Sequence, residues 1–229
     1  MFYISDFISI IFPRICAGCG NSLWKNEESL CHFCEYHLPK TNFHLDFENP
    51  VTRLFWGRVN LESGAAFLYF NKGNKVQRLI HQLKYKGRKD IGIWLGAHYG
   101  RSLRDAPPFN SADAIIPVPL HKKRLMQRGY NQSEQFAIGL SGSMDIPVNT
   151  HLLMRTKSTE SQTRKSRFSR YQNVREIFSV NGTQDWKGKH LMIVDDVITT
   201  GATLESCIQA LNTIPGIRIS VACIATAMI

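Results

Sequence analysis

The sequence predicts an α/β fold, a mainly parallel sheet flanked by helices, with a small four-cysteine module at its N-terminus. Three observations carry this expectation. Short apolar runs alternate with segments of helical period through the C-terminal half, as in strand–helix–strand units. One run, Leu191-Met192-Ile193-Val194, ends in Asp195-Asp196 and a Thr-Gly turn that leads into a helix. Four of the six cysteines fall in two C-x2-C pairs, Cys16/Cys19 and Cys31/Cys34.

The elements follow in order. The chain has 229 residues, which fit one large domain or one medium domain with a small appendage, and 43% of them are apolar, enough for a sizeable core. The reading places a four-cysteine metal module at 1–45, a helical connecting or hood segment at 46–102, and the sheet domain at 103–229. Gly64 to Phe70 reads as a short strand. Val76, Leu79, Ile80 and Leu83 keep helical spacing until Tyr85-Lys86-Gly87-Arg88 breaks the pattern. A second helix runs from Asp90, read as its N-cap, through Ile91, Trp94, Leu95, His98 and Tyr99. Ala114 to Val118 is a strand, and Asn131 to Leu140 a helix. His151 to Met154 and Glu176 to Val180 read as short strands, and His190 to Val197 as a buried one. Thr203 to Leu211 is a helix and Ile217 to Thr226 the last strand. The polar stretch Thr156 to Arg170 is long for a connector and has the character of an active-site lid.

Composition excludes some classes. The apolar run Phe7 to Phe12 is far below the roughly 18–20 residues of a membrane span. The N-terminus has Asp6 early and no basic stretch, so it does not read as a signal peptide; the expected location is the cytoplasm, without membrane insertion. The net charge of +10 is concentrated in three windows: Lys84 to Lys89, His121 to Asn131, and Arg155 to Arg175. The rest of the chain is net negative, so the basicity points to anionic partners at particular places. The rival reading is solvated faces that aid solubility.

The cysteine pairs form C-x2-C-x11-C-x2-C. Each pair offers two thiolates from one tight turn, and two turns complete a tetrahedron. The expected ligands are Cys16, Cys19, Cys31 and Cys34, the expected ion a structural Zn2+, since four cysteines leave no open position. A disulfide pair or an iron site is the rival. Cys207 and Cys223 read as buried small hydrophobes.

The candidate ligand site lies at the end of the Leu191–Val194 run. Adjacent carboxylates at a strand end stand where open α/β sheets bind ligands. Val197, Thr199, Thr200, Gly201, Ala202 and Thr203 then turn into a helix, where backbone N–H groups and a positive helix end favour a phosphate. Carboxylates repel a phosphate, so Asp195 and Asp196 suit vicinal hydroxyls, or a magnesium ion bridging to substrate. Together they describe a ribose 5-phosphate.

Val194 to Leu204 resembles the PRPP-binding signature of type I phosphoribosyltransferases. The resemblance implies that fold, a ribose held by Asp195 and Asp196, a 5′-phosphate held by the following loop, and Mg2+ arriving with PRPP. Ile116-Pro117-Val118-Pro119-Leu120, Lys123-Arg124-Leu125 and Arg128-Gly129-Tyr130-Asn131-Gln132 are similar to the ComF family, which includes the GntX proteins. So are Tyr85-Lys86-Gly87-Arg88, Gln162-Thr163, Arg167, Arg170, Asn173-Val174-Arg175 with Phe178, and the cysteine pairs. Tyr130 replaces a common Phe, and Glu176-Ile177 stands where smaller residues are usual. The resemblance implies a pyrophosphate-binding turn at Pro117-Val118-Pro119, where Lys123, Arg124 and Arg128, with Lys122 behind them, would neutralise the diphosphate. It places Arg155 to Arg175 at the flexible lid, while its basic and aromatic residues equally suit a single-stranded nucleic acid. Lys84 to Lys89 either overhangs the same cleft or is an ordinary basic helix end. Two functions follow. One is a phosphoribosyltransferase acting on PRPP, with a competence or DNA-uptake role. The other is a non-catalytic platform for single-stranded DNA that docks a DNA-uptake helicase.

Overall fold

The computed structural model describes residues 13–71, 73–156 and 177–227. Most of the expected lid, with Gln162, Thr163, Arg167, Phe168, Arg170, Tyr171 and Asn173 to Glu176, lies outside the described residues, as does the Phe7–Phe12 run. Seven helices and six strands are described: α1 His32–Tyr36, α2 Pro50–Arg53, β1 Ser63–Phe70, α3 Lys75–Tyr85, α4 Lys89–Leu103, β2 Ala114–Pro117, α5 Lys122–Arg128, α6 Gln132–Met144, β3 Leu153–Arg155, β4 Phe178–Val180, β5 His190–Ile198, α7 Ala202–Leu211 and β6 Arg218–Ala227.

Four strands form a parallel sheet in the order β1-β6-β5-β2. β5 is interior, and its residues from His190 to Val194 are buried, which is why its sequence is a continuous apolar run rather than an alternating one. Its side chains still alternate between two cores. Met192 and Val194 join the core built with α3, α4 and α6; Leu191 and Ile193 join the core built with α7 and α2. Helices therefore cover both faces, as the alternating pattern predicts.

β1 comes from the segment expected to connect, yet it is an outer strand of the main sheet, registered Gly64 opposite Val221 and Leu68 opposite Ala225. The two short strands at 153–155 and 178–180 do not enter the parallel sheet. They pair antiparallel with each other, Leu153 opposite Val180 and Arg155 opposite Phe178. Each has one well-buried side chain, Leu153 and Phe178, and β4 packs on α7, so this ribbon caps a helix rather than widening the sheet.

Helix α4 begins at Lys89 with Arg88 at the cap position; Asp90 sits in the first turn rather than capping it. There Asp90 receives two bonds from Arg88 (2.9 and 2.8 Å) and one from Ser29 Oγ (2.8 Å). These bonds outweigh burial and hold its carboxyl below the usual range. Helices α4 and α6 meet through glycine: a Cβ on Gly96 would stand 2.2 Å from the Phe136 carbonyl oxygen, and one on Gly139 2.1 Å from that of Ile93. Among the described residues no helix is long and apolar enough to cross a membrane.

The cysteine segment has no separate core. Cys16, Ala17, Leu30, Cys34 and Leu38 are buried in the same cluster as α3 and α4. Arg78 and Gln82 of α3 donate to the carbonyls of Gly18 and Ala17, each at 2.7 Å.

Candidate functional site

Asp195 and Asp196 stand half-buried at the carboxyl end of β5. Asp195 Oδ1 accepts from Ser133 Oγ (2.9 Å) and from the Asp196 amide (2.8 Å). Asp196 Oδ1 accepts from the Val197 amide (2.6 Å), and Lys84 Nζ lies 3.0 Å from Oδ1 and 2.9 Å from Oδ2. Each acid thus takes one neighbouring backbone N–H and one side-chain partner. A carboxylate offers about four lone-pair sites, so both keep capacity for a further donor. Burial, and then the adjacent Asp196 charge, push Asp195 up to about 7.

The turn beyond β5 leaves Thr199 and Thr200 exposed and buries Gly201. Gly201 has φ 75° and precedes α7 with no side-chain cap. The first amides of α7 are therefore available to an anion, and the helix end adds roughly half a positive charge. A cleft of about 60 Å³ is lined by Asp195 and residues 197–204. The first carboxylate and the whole Thr199–Thr203 loop named from sequence thus share one small cavity, about two water volumes at ~30 Å³ each. Phe55 supports it from below, at 3.2 Å from where a Gly201 Cβ would be. Arg58 holds the Thr200 and Leu54 carbonyls (3.2 and 3.0 Å) and pairs with Glu205.

The basic residues occupy α5, none of them among those lining that cleft. The strand-end turn before α5 is tied to the site: the Val118 amide donates to Val194 O (2.9 Å), and Asn131 Nδ2 donates to Val118 O (3.0 Å). Lys123 and Arg124 are exposed. Arg128 donates to Gln132 (2.7 Å) and lies over the Tyr85 ring at 5.3 Å; its Nε is buried without a hydrogen-bond partner among the described residues. The 84–89 window meets the same place. Lys84 reaches Asp196, and Tyr130 Oη donates to Leu83 O.

Four residues of this site were not singled out from sequence: Lys84, Ser133, Arg58 and Phe55. Ser133 carries a signal, since it follows Asn131, whose side chain caps α6 through the Ser133 amide (3.2 Å). Lys84 lies in a charge window that the sequence marks without distinguishing its members. Arg58 and Phe55 carry none.

A phosphoribosyl transferase domain model matches residues 131–228. DNA utilization protein YhgH of Escherichia coli O157:H7 is 30% identical over 205 residues, which cover 86% of this chain and 83% of that protein. This chain belongs to the ComF family. Competence protein F of Haemophilus influenzae is 34% identical over 138 residues, covering 58% of this chain and 60% of that protein. Competence protein ComFC of Bacillus subtilis is 23% identical over 198 residues, 86% of this chain and 78% of that protein. In this ComF chain the phosphoribosyltransferase match begins at Asn131, so Phe55, Arg58 and Lys84 reach the site from outside it.

The second cluster of this ComF protein is made by Cys16, Cys19, Cys31 and Cys34, whose sulfurs all lie within 4.8 Å of one another. Cys19 Sγ and Cys31 Sγ are 3.8 Å apart, and none of the four is in a disulfide. The Gly18 and Cys31 amides point at Cys16 Sγ (3.4 and 3.3 Å). Although burial opposes it, these N–H donors and that of Cys19 bring the Cys16 thiol down to about 7, while burial pushes the Cys31 and Cys34 thiols up. The arrangement can coordinate a metal ion.

Proposed function

We propose that this protein binds PRPP or a related ribose 5-phosphate ligand and acts as a phosphoribosyltransferase with a role in DNA uptake. One observation carries the reading: an uncapped helix start after Gly201 opens into the same small cavity as a carboxylate at the end of β5. The helix amides and the hydroxyls of Thr199, Thr200 and Thr203 would hold the 5′-phosphate. Asp195 and Asp196 would accept from the ribose 2′- and 3′-hydroxyls, with Ser133 and Lys84 fixing their orientation. Lys123, Arg124 and Arg128 would face the pyrophosphate, which brings Mg2+ with it. In this reading a nitrogen nucleophile attacks C1 of the ribose, the C1–oxygen bond breaks, and pyrophosphate leaves with the electron pair. The protein supplies orientation and charge, with no covalent catalyst. For the cysteine cluster we propose structural Zn2+: Zn–S bonds of about 2.3 Å give a tetrahedral edge of about 3.8 Å, the spacing of Cys19 and Cys31.

Calorimetry with PRPP and Mg2+ tests the reading. Wild type is expected to bind, and Asp195→Asn and Asp196→Asn each to weaken binding about tenfold or more, as for bonds to charged acceptors. No binding by wild type removes it.

A platform for single-stranded DNA that docks a helicase is the second reading. It is favoured by the three basic windows and by the DNA-utilization and competence names of the relatives. It requires binding that weakens steeply with salt, and neutralising Arg164, Lys165 and Arg167 must reduce that slope.

A further inference from the structure

We infer that Lys84 is a positioning residue of the ribose subsite: a cation delivered by α3 that sets Asp196 as an acceptor for the sugar diol. The inference rests on the phosphoribosyl reading and adds to it a residue outside the matched domain. Two carboxylates side by side repel each other and repel a phosphorylated ligand, so a site that uses both needs a cation close by. Ser133 fixes Asp195 with a neutral hydroxyl, which leaves the charge unchanged. Lys84 supplies the cation and touches both oxygens of Asp196, at 3.0 and 2.9 Å.

This pair differs from an exposed ion pair, which contributes little. The Lys84 side chain is 22% exposed and that of Asp196 14%. The helix that carries Lys84 is fastened through the turns that lead up to it. Arg78 and Gln82 hold the cysteine knuckle, and Leu83 O receives the Tyr130 hydroxyl. These contacts fix the backbone from which the Lys84 side chain reaches Asp196, which limits the ordering left to do when a ligand arrives. With both oxygens of Asp196 facing one cation, the lone pairs directed away from Lys84 are the ones a hydroxyl can use.

The experiment compares ribose 5-phosphate, 2-deoxyribose 5-phosphate and inorganic phosphate on the full chain, read by amide NMR titration at Gly201 and by calorimetry. Wild type is expected to prefer ribose 5-phosphate over the 2-deoxy sugar. Lys84→Met, and Lys84→Gln as a second variant, should weaken ribose 5-phosphate about tenfold and abolish that preference, while inorganic phosphate changes by less than about twofold. Lys84→Arg should restore the preference, which a merely structural defect would not allow. A Lys84→Met protein that folds and keeps the wild-type preference overturns the role of Lys84. A wild type that binds the two sugars equally overturns the diol reading itself, so the two failures are told apart.

Discussion

Asp195 lies where burial and a neighbouring charge act together. In the folded chain it holds its proton up to about pH 7, whereas an unfolded Asp releases it near 3.9. The folded state therefore binds more protons between those values, and stability should fall as pH rises through that window. Thermal unfolding should show a lower Tm at pH 8 than at pH 5, and Asp195→Asn should remove most of the difference. An equal drop in the variant would mean that the proton is held elsewhere. The chemistry of this residue was legible because Leu191 to Asp196 is contiguous: an apolar run ending in acids can be read from the chain. Its partner Ser133 lies on another element, and only folding brings the two within 2.9 Å.

At the scale of elements, the pairing of α4 with α6 depends on side chains that are missing. The helical spacing runs through Ile91, Trp94, Leu95, His98 and Tyr99, and all of these but the half-buried His98 are buried. It did not register that Gly92, Gly96 and Gly100 form the line against α6, because periodicity arguments count apolar bulk and a close approach is encoded by its absence. Gly96→Ala should destabilise the chain by about 3 kcal/mol, since the new methyl meets backbone that cannot rotate away. Gly142 of α6 is the control, with nothing within 4 Å of its Cβ position and an exposed site. Gly142→Ala should be neutral or stabilising by up to about 1 kcal/mol in urea unfolding. Equal losses for both would assign the effect to helix propensity or unfolded-state change rather than to contact. The strand pattern was legible for β2, β5 and β6, whose apolar runs are almost wholly buried. It failed to assign partners to β3 and β4, because three-residue strands carry too few side chains to specify a sheet.

For the whole molecule, the cysteine segment and the sheet share one hydrophobic core. Cys16 and Cys34 belong to the core that α3 and α4 complete, so loss of the proposed metal should be felt beneath the sheet. Treatment with a strong chelator should lower Tm by about 10 °C or more, given about 2–4 °C per kcal/mol for a chain of this size, and Cys34→Ser should do the same without chelator. A Tm unmoved in both would mean that the four thiols contribute only by packing. The place of the cysteine pairs was legible from spacing; their sharing of a core was not, because burial is a property of the neighbours. The position of β1 carries a practical result for anyone cutting the chain. A fragment begun at residue 103 would lack the strand that covers one flank of β6, leaving a row of bare amides and carbonyls. Such a flank is a template for other chains, and that fragment should precipitate where the full protein stays dissolved.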